Sequence, residues 1–159
     1  MRRILKTSSH PDSQHLRLFC CETEEHEKSV RIAKDMHLFL LQNRQISEGA
    51  VGLACNQLGL QGRVVLMRTG NKKTWETFVN PNILSYGEET IVHEESCLSV
   101  PKKSVKVERH TQITIRYDRY DDKIIRELHG QEAIVMQHEF DHLNGILITD
   151  KEQDEKQPA

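Results

Sequence analysis

The run from Gln131 to Leu143, which stops at Asn144-Gly145, constrains this chain more than any other segment and reads as a helix. Inside it lies His138-Glu139-Phe140-Asp141-His142. Two histidines four apart on a helix share a face and can both ligate one ion. The glutamate beside the first can then take a proton from water held on that ion. The bland alternative is a solvated helix face that happens to carry two histidines and two acids. A third histidine in the pattern H-E-x-x-H-x-x-G-x-x-H would fall at 148, which is Ile148. A downstream glutamate needs a second helix, and too little chain follows Thr149 to build one. A third donor therefore has to lie upstream, and the fold has to bring it to this helix.

Upstream, Glu95-Ser96-Cys97-Leu98-Ser99-Val100-Pro101 offers Cys97 beside a turn-like serine and a proline. A lone cysteine is by default a small buried hydrophobe. A Cys-His-His set with one open position is nonetheless sound chemistry, because the thiolate is soft and charged and water completes a tetrahedron. The other cysteines, at 20, 21 and 55, have no disulfide-framework spacing, and Cys20 and Cys21 are adjacent, so reduced thiols are expected. A third segment, Gly49 to Gln57, carries small residues that let backbone pass close to a ligand, and Gln57 offers an amide donor. Alone it reads equally as an ordinary helix-to-strand loop.

Between these segments the pattern is mixed. Val30, Ala33, Met36, Leu40 and Leu41 follow three- and four-residue steps, predicting an amphipathic helix from about 24 to 44 that Ser47-Glu48-Gly49 breaks. Ser8 to Ser13 is turn-rich. Strands are expected at 63–68, 74–79, 83–86, 104–108, 113–117 and 124–125, with Asn80-Pro81-Asn82 separating two of them. Ile146 to Ile148 is expected as a last strand or packed turn. The fold class is α+β: antiparallel sheets packed around a C-terminal metal-binding helix, with an N-terminal amphipathic helix. Residues 1–149 are expected to form the catalytic domain and 150–159 a polar, disordered tail.

Composition excludes some functions. With 29% charged residues but a formal net charge of only −2, no general affinity for nucleic acid or anionic membrane is expected. The longest apolar runs, such as Leu38–Leu41 and Val64–Met67, fall far short of the roughly 20 residues of a spanning helix. No signal-peptide pattern follows Met1-Arg2-Arg3, so a cytoplasmic location is the default.

Taken together, Ala50-Val51-Gly52-Leu53-Ala54-Cys55-Asn56-Gln57, Glu95-Ser96-Cys97-Leu98-Ser99 and Gln137-His138-Glu139-Phe140-Asp141-His142 resemble, in order and spacing, the G-x-G-L-A-A-x-Q, E-G-C-L-S and Q-H-E-x-D-H motifs of the peptide deformylases. The resemblance implies hydrolysis of the formyl group from N-formylmethionine on nascent polypeptides, releasing formate. It implies that Cys97, His138 and His142 hold one divalent ion, Fe2+ in the cell, with Ni2+, Co2+ or Zn2+ able to substitute. Metal-bound water is the nucleophile, Glu139 the general base and acid, and Gln57 with the Leu98 backbone N–H the oxyanion donors. Val51, Gly52, Leu98, Ile134 and the His138 ring are the implied substrate-binding residues. His93 and Gln131 fall near the same pocket by spacing, which makes it more polar than a methionine pocket needs to be. Arg109 is the implied partner of Asp141, the alternative being a solvated Asp141.

The pattern departs at Ala50, Cys55 and Ser96, where tighter loops are expected because Ala and Ser resist positive φ. The chain resembles the shorter members, which lack a long C-terminal helix; transient ribosome proximity stays open. Two other readings remain at this point: a metallopeptidase whose activity does not depend on Cys97, and a non-catalytic relative that binds metal without turnover.

Overall fold

The computed structural model describes residues 2–70 and 74–153, and among these it has four α-helices and seven strands. The helices are α1 (His10–Leu16), α2 (His26–Gln42), α3 (Arg44–Gly49) and α4 (Gly130–Leu143). The strands are β1 (Gly52–Ala54), β2 (Val64–Arg68), β3 (Trp75–Tyr86), β4 (Thr90–Cys97), β5 (Val100–His110), β6 (Gln112–Arg119) and β7 (Asp122–His129). One antiparallel sheet has the order β1-β2-β3-β6-β7, and β4 and β5 form a separate hairpin. The expected α+β class with antiparallel sheets holds.

In α2, Ser29, Ile32, Met36, Phe39 and Leu40 are buried at helical spacing and turn one face onto the sheet. Ile32, Met36, Phe39 and Leu40 join Leu53, Leu66, Phe78, Ile115, Met136 and Leu143 in the main core. Helix α4 packs against β1, β2 and β7 and also against β5, so it is where the two sheets meet. A smaller cluster of Val100, Val105, Val107 and Ile148, with Cys97 against it, closes the hairpin.

Three local expectations change, and one alternative is decided. The turn-rich stretch at Ser8 to Ser13 becomes α1: Pro11 sits in its first turn, where its fixed φ is already helical, and Asp12 is buried as the acceptor for Arg3 and the Lys6 N–H. Ser47-Glu48-Gly49 lies within α3, the break coming earlier at Asn43, whose side chain donates to the Phe39 carbonyl. Of the two readings of Ile146 to Ile148, a turn holds: Ile148, buried, opens the 3-10 turn Ile148–Asp150. Asn80-Pro81-Asn82 does not separate two strands, because β3 runs through it with a register shift. Asn80, at φ 47°, is held there by its amide, which accepts from the Thr23 N–H at 2.8 Å and donates to the Thr23 carbonyl and Asp118. A bulge lets proline stay in a strand without breaking the ladder.

The polar tail expected from 150 begins tied down. Lys151 pairs with Asp141, Glu152 with Lys103, and the Gln153 N–H donates to the Lys106 carbonyl. Residues 154–159 lie outside the described residues.

Arg63 is the main polar fastener of the core. It is 5% exposed, lies over Phe19 and Phe140, and donates to the Cys20 carbonyl and to Asn144 at the end of α4. Replacing it by methionine keeps the bulk and removes the donors. Arg63→Met is expected to lower stability by about 3 kcal/mol, since several buried acceptors lose a charged donor together. Urea unfolding reads this directly, and a loss under about 1 kcal/mol would show that water replaces the guanidinium.

Candidate metal centre

The three candidate ligands come from two elements. His138 and His142 are one turn apart on α4, their ring centroids 5.0 Å apart. Cys97 is the last residue of β4 and pairs with Val100, so Leu98-Ser99 makes the tight hairpin tip. That tip sits against α4. The Cys97 Sγ is 3.2 Å from His142 Nε2, and one donor atom from each of the three residues lies within 4.8 Å of the others.

His138 is oriented by Glu95, which accepts at 2.9 Å from the ring Nδ1 and leaves Nε2 toward the cluster. Glu95 is two residues before Cys97 on β4, hence on the same face of the strand. Arg109 on β5 is 2% exposed; its Nε and Nη2 donate to Glu95 at 2.8 and 3.0 Å, and its Nη1 to Asp141 at 2.5 Å. Asp141 is therefore paired with Arg109, not a solvated helix residue. The sequence offered Glu95 only as part of a motif; its signal was the two-residue step from Cys97.

The electrostatics fit a cation. Burial works against a charged His138 ring, yet the Cys97 thiol and Glu95 outweigh it and hold the ring's pKa well above the histidine range. Burial, then His138 and Arg109, push His142 well below that range. Burial also opposes a charged Glu95, but Arg109 and His138 outweigh it and keep the carboxyl well below the usual value. A soft sulfur and two imidazoles, in a setting that draws positive charge onto His138, suit one divalent ion.

Glu139, 4% exposed, has its carboxyl pushed up to about 7 by burial, with Oε2 making no hydrogen bond. It is packed on Gly52 so closely that a Cβ there would lie 2.3 Å from Glu139 Oε1. Gln57 sits in the 3-10 turn Cys55–Leu58; its Oε1 accepts from the Ala54 N–H, and its Nε2 donates to Ser99 Oγ at 3.1 Å and lies 3.8 Å from Cys97 Sγ. Val51, Gly52, Leu98 and Ile134 line one cavity of about 630 Å³ with Gln57, Cys97, His138 and Glu139. Of the nominated residues only His142 is off this lining, buried behind Cys97. Ala50, Cys55 and Ser96 all avoid positive φ, the region that Ala and Ser resist.

The comparisons with known proteins agree with this arrangement. Residues 2–158 match the family model described as polypeptide deformylase. The chain belongs to the peptide deformylase family. A peptide deformylase of Caulobacter vibrioides is 36% identical over 154 residues, which cover 94% of this chain and 87% of the relative. The crystal structure of peptide deformylase from Thermotoga maritima superposes with a TM-score of 0.78 at 32% identity, covering 96% of this chain and 98% of that one. A Met-Ala-Ser-bound class I type b peptide deformylase from Acinetobacter baumannii gives a TM-score of 0.77 at 26% identity, covering 94% and 96%. As a deformylase-family chain it is a metal-dependent amide hydrolase, and Cys97, His138 and His142 form a cluster that could hold a divalent ion.

The contact at Gly52 yields a prediction. Gly52→Ala is expected to leave the protein folded and able to bind metal but to displace the Glu139 carboxylate, slowing hydrolysis at least about tenfold, as misplacement near 1 Å does. Metal content and rate measured on one sample decide it; a rate equal to the parent would mean that Glu139 accommodates the methyl group.

Proposed function

We propose that this chain removes the formyl group from the N-terminal formylmethionine of nascent polypeptides, releasing formate and a free amine. The observation that carries the reading is convergence on one cavity: two residues of the three-donor cluster, a buried unpartnered glutamate and an amide donor line it, with the third donor, His142, against Cys97. Cys97, His138 and His142 would hold the ion, Fe2+ by the family resemblance, and the same donors accept Ni2+, Co2+ or Zn2+. When bound, the ion supplies Lewis acidity, lowering the pKa of water and polarising the formyl oxygen.

The remaining chemistry belongs to the chain. Glu139 takes a proton from the attacking water at Oε2 and returns it to the departing amine nitrogen, a role that a buried carboxyl whose Oε2 makes no other hydrogen bond suits. In this reading the Gln57 Nε2 and the Leu98 backbone N–H donate to the oxygen that gains charge; one such donor is worth about 2.7–4 kcal/mol in the best-studied hydrolase case. Val51, Leu98, Ile134 and the His138 ring form the walls for the first side chain, and Gly52 lets backbone pass close beside Glu139. Residues 1–149 form the catalytic unit in this reading. Its substrates are met as they are made, which places the work in the cytoplasm and transiently near the ribosome.

Two measurements test the proposal. Metal-loaded protein, handled without oxygen, is expected to release formate from formyl-Met-Ala-Ser, and Glu139→Gln to keep its metal while losing roughly 10²–10⁴ in rate. No formate from the parent protein, or a near-normal rate in the variant, would sink the reading. Cobalt-substituted protein is expected to show a thiolate charge-transfer band that Cys97→Ser abolishes and the conversion of Cys55 to serine leaves in place. A band that survives the Cys97 change would move the third ligand elsewhere.

A further inference from the structure

The far end of the active cavity is polar, and its construction follows from the way β4 and α4 run past each other. Cys97 meets His142 and Glu95 meets His138, so each two-residue step back along the strand matches one turn back along the helix. The two steps are nearly equal, about 6.8 Å for the strand and 6 Å for the helix. The next step places His93 opposite the turn that carries Ile134 and Gln131, and all three line the cavity. His93 is a quarter exposed, and its Nε2 lies 3.1 Å from Glu95 Oε1, off the line of a hydrogen bond and without another partner. Gln131 is exposed at the start of α4. In the deformylase reading the first side chain starts one carbon from the reacting amide nitrogen, in the same cavity that His93, Ile134 and Gln131 line.

We infer that His93 and Gln131 form a polar end to the first-side-chain pocket, which takes N-formyl peptides whose first residue has methionine's length and a hydrogen-bond-accepting tip, methionine sulfoxide above all. The inference rests on the deformylase reading and deepens it. The Gln131 amide supplies a donor to the sulfoxide oxygen, and the His93 imidazole gives that oxygen a polar wall, while Val51, Leu98 and Ile134 keep the stem in apolar contact. A thioether or an alkyl tip offers the Gln131 amide little and leaves it to water. The reaction itself is unchanged: the formyl carbon–nitrogen bond breaks, the water oxygen bonds to the formyl carbon, a proton passes to the amine, and the sulfur is neither oxidised nor reduced. Sulfoxide is the first product of methionine oxidation, so the pocket tolerates an oxidised form of the enzyme's own substrate.

The test compares kcat/KM for formyl-Met-Ala-Ser, its sulfoxide and the norleucine analogue on metal-loaded protein. Gln131→Leu, which touches neither Glu95 nor the ligands, and His93→Ile are studied singly and together. The sulfoxide-to-methionine ratio is expected to fall by about tenfold in the double variant, the value of one net hydrogen bond, with norleucine gaining relative to sulfoxide. A general loss of folding or metal scales all three substrates alike and leaves the ratio in place. A fall smaller than about threefold overturns the inference while formate release from formyl-Met-Ala-Ser keeps the deformylase reading. Formate from none of the three peptides overturns both.

Discussion

The guanidinium of Arg109 is the interaction on which the site depends. It is fully enclosed and neutralised from two sides, by Glu95 on β4 and by Asp141 on α4. The β4–β5 hairpin belongs to a different sheet from the one α4 covers, and its own apolar cluster is small. Hydrophobic contact alone, being non-directional, would let the hairpin slide along the helix. A planar cation forking to two fixed carboxylates admits one registration, because any other leaves a buried charge unpaired at a cost of about 3–5 kcal/mol. The registration selected is the one that puts Cys97 against His142 and Glu95 against His138. A charge cluster in the interior thus does for the ligand geometry what packing could not.

From that registration the electrostatics of the cavity follow. Glu95, held ionised by Arg109, gives its second oxygen to His138 and fixes which nitrogen faces the cluster. The helix then turns Glu139 to the opposite side of His138, into the close contact with Gly52 on β1. The two carboxylates sit near the same ring and are driven in opposite directions: Glu95 down by its cationic partners, Glu139 up by burial without one. One is thereby favoured as a charge and, in the proposed mechanism, the other as a proton carrier. The difference comes from environment and not from residue type.

The hairpin tip adds a further coupling. Ser99 accepts from Gln57 through its hydroxyl and from the Thr7 N–H through its carbonyl, while the Gln57 carbonyl accepts from the Leu5 N–H. The N-terminal segment, the 3-10 turn and the ligand hairpin are therefore one hydrogen-bonded assembly. None of Ala50, Cys55 and Ser96 takes up a positive φ.

Some of this was written in the chain itself. The His138/His142 spacing dictates two donors on one face of a helix wherever that helix lies, and period-two alternation already placed Val105 and Val107 on one face. These are local consequences of fixed helical and strand geometry. The three motifs named the family, and with it Cys97, Gln57 and Glu139. Other features were decided only when distant segments met. Asn80-Pro81 looks like a strand break, and becomes a bulge because Thr23 and Asp118 arrive to satisfy the Asn80 amide. Ser8 to Ser13 looks like a turn, and becomes a helix once the Arg3 guanidinium meets Asp12. Asp141 was equally a surface acid until Arg109 came from another sheet. The sequence carries the identity of each group and its immediate neighbours, whereas the charge state of Glu95, Glu139 and the histidines depends on burial and on partners dozens of residues away, which only the tertiary structure supplies.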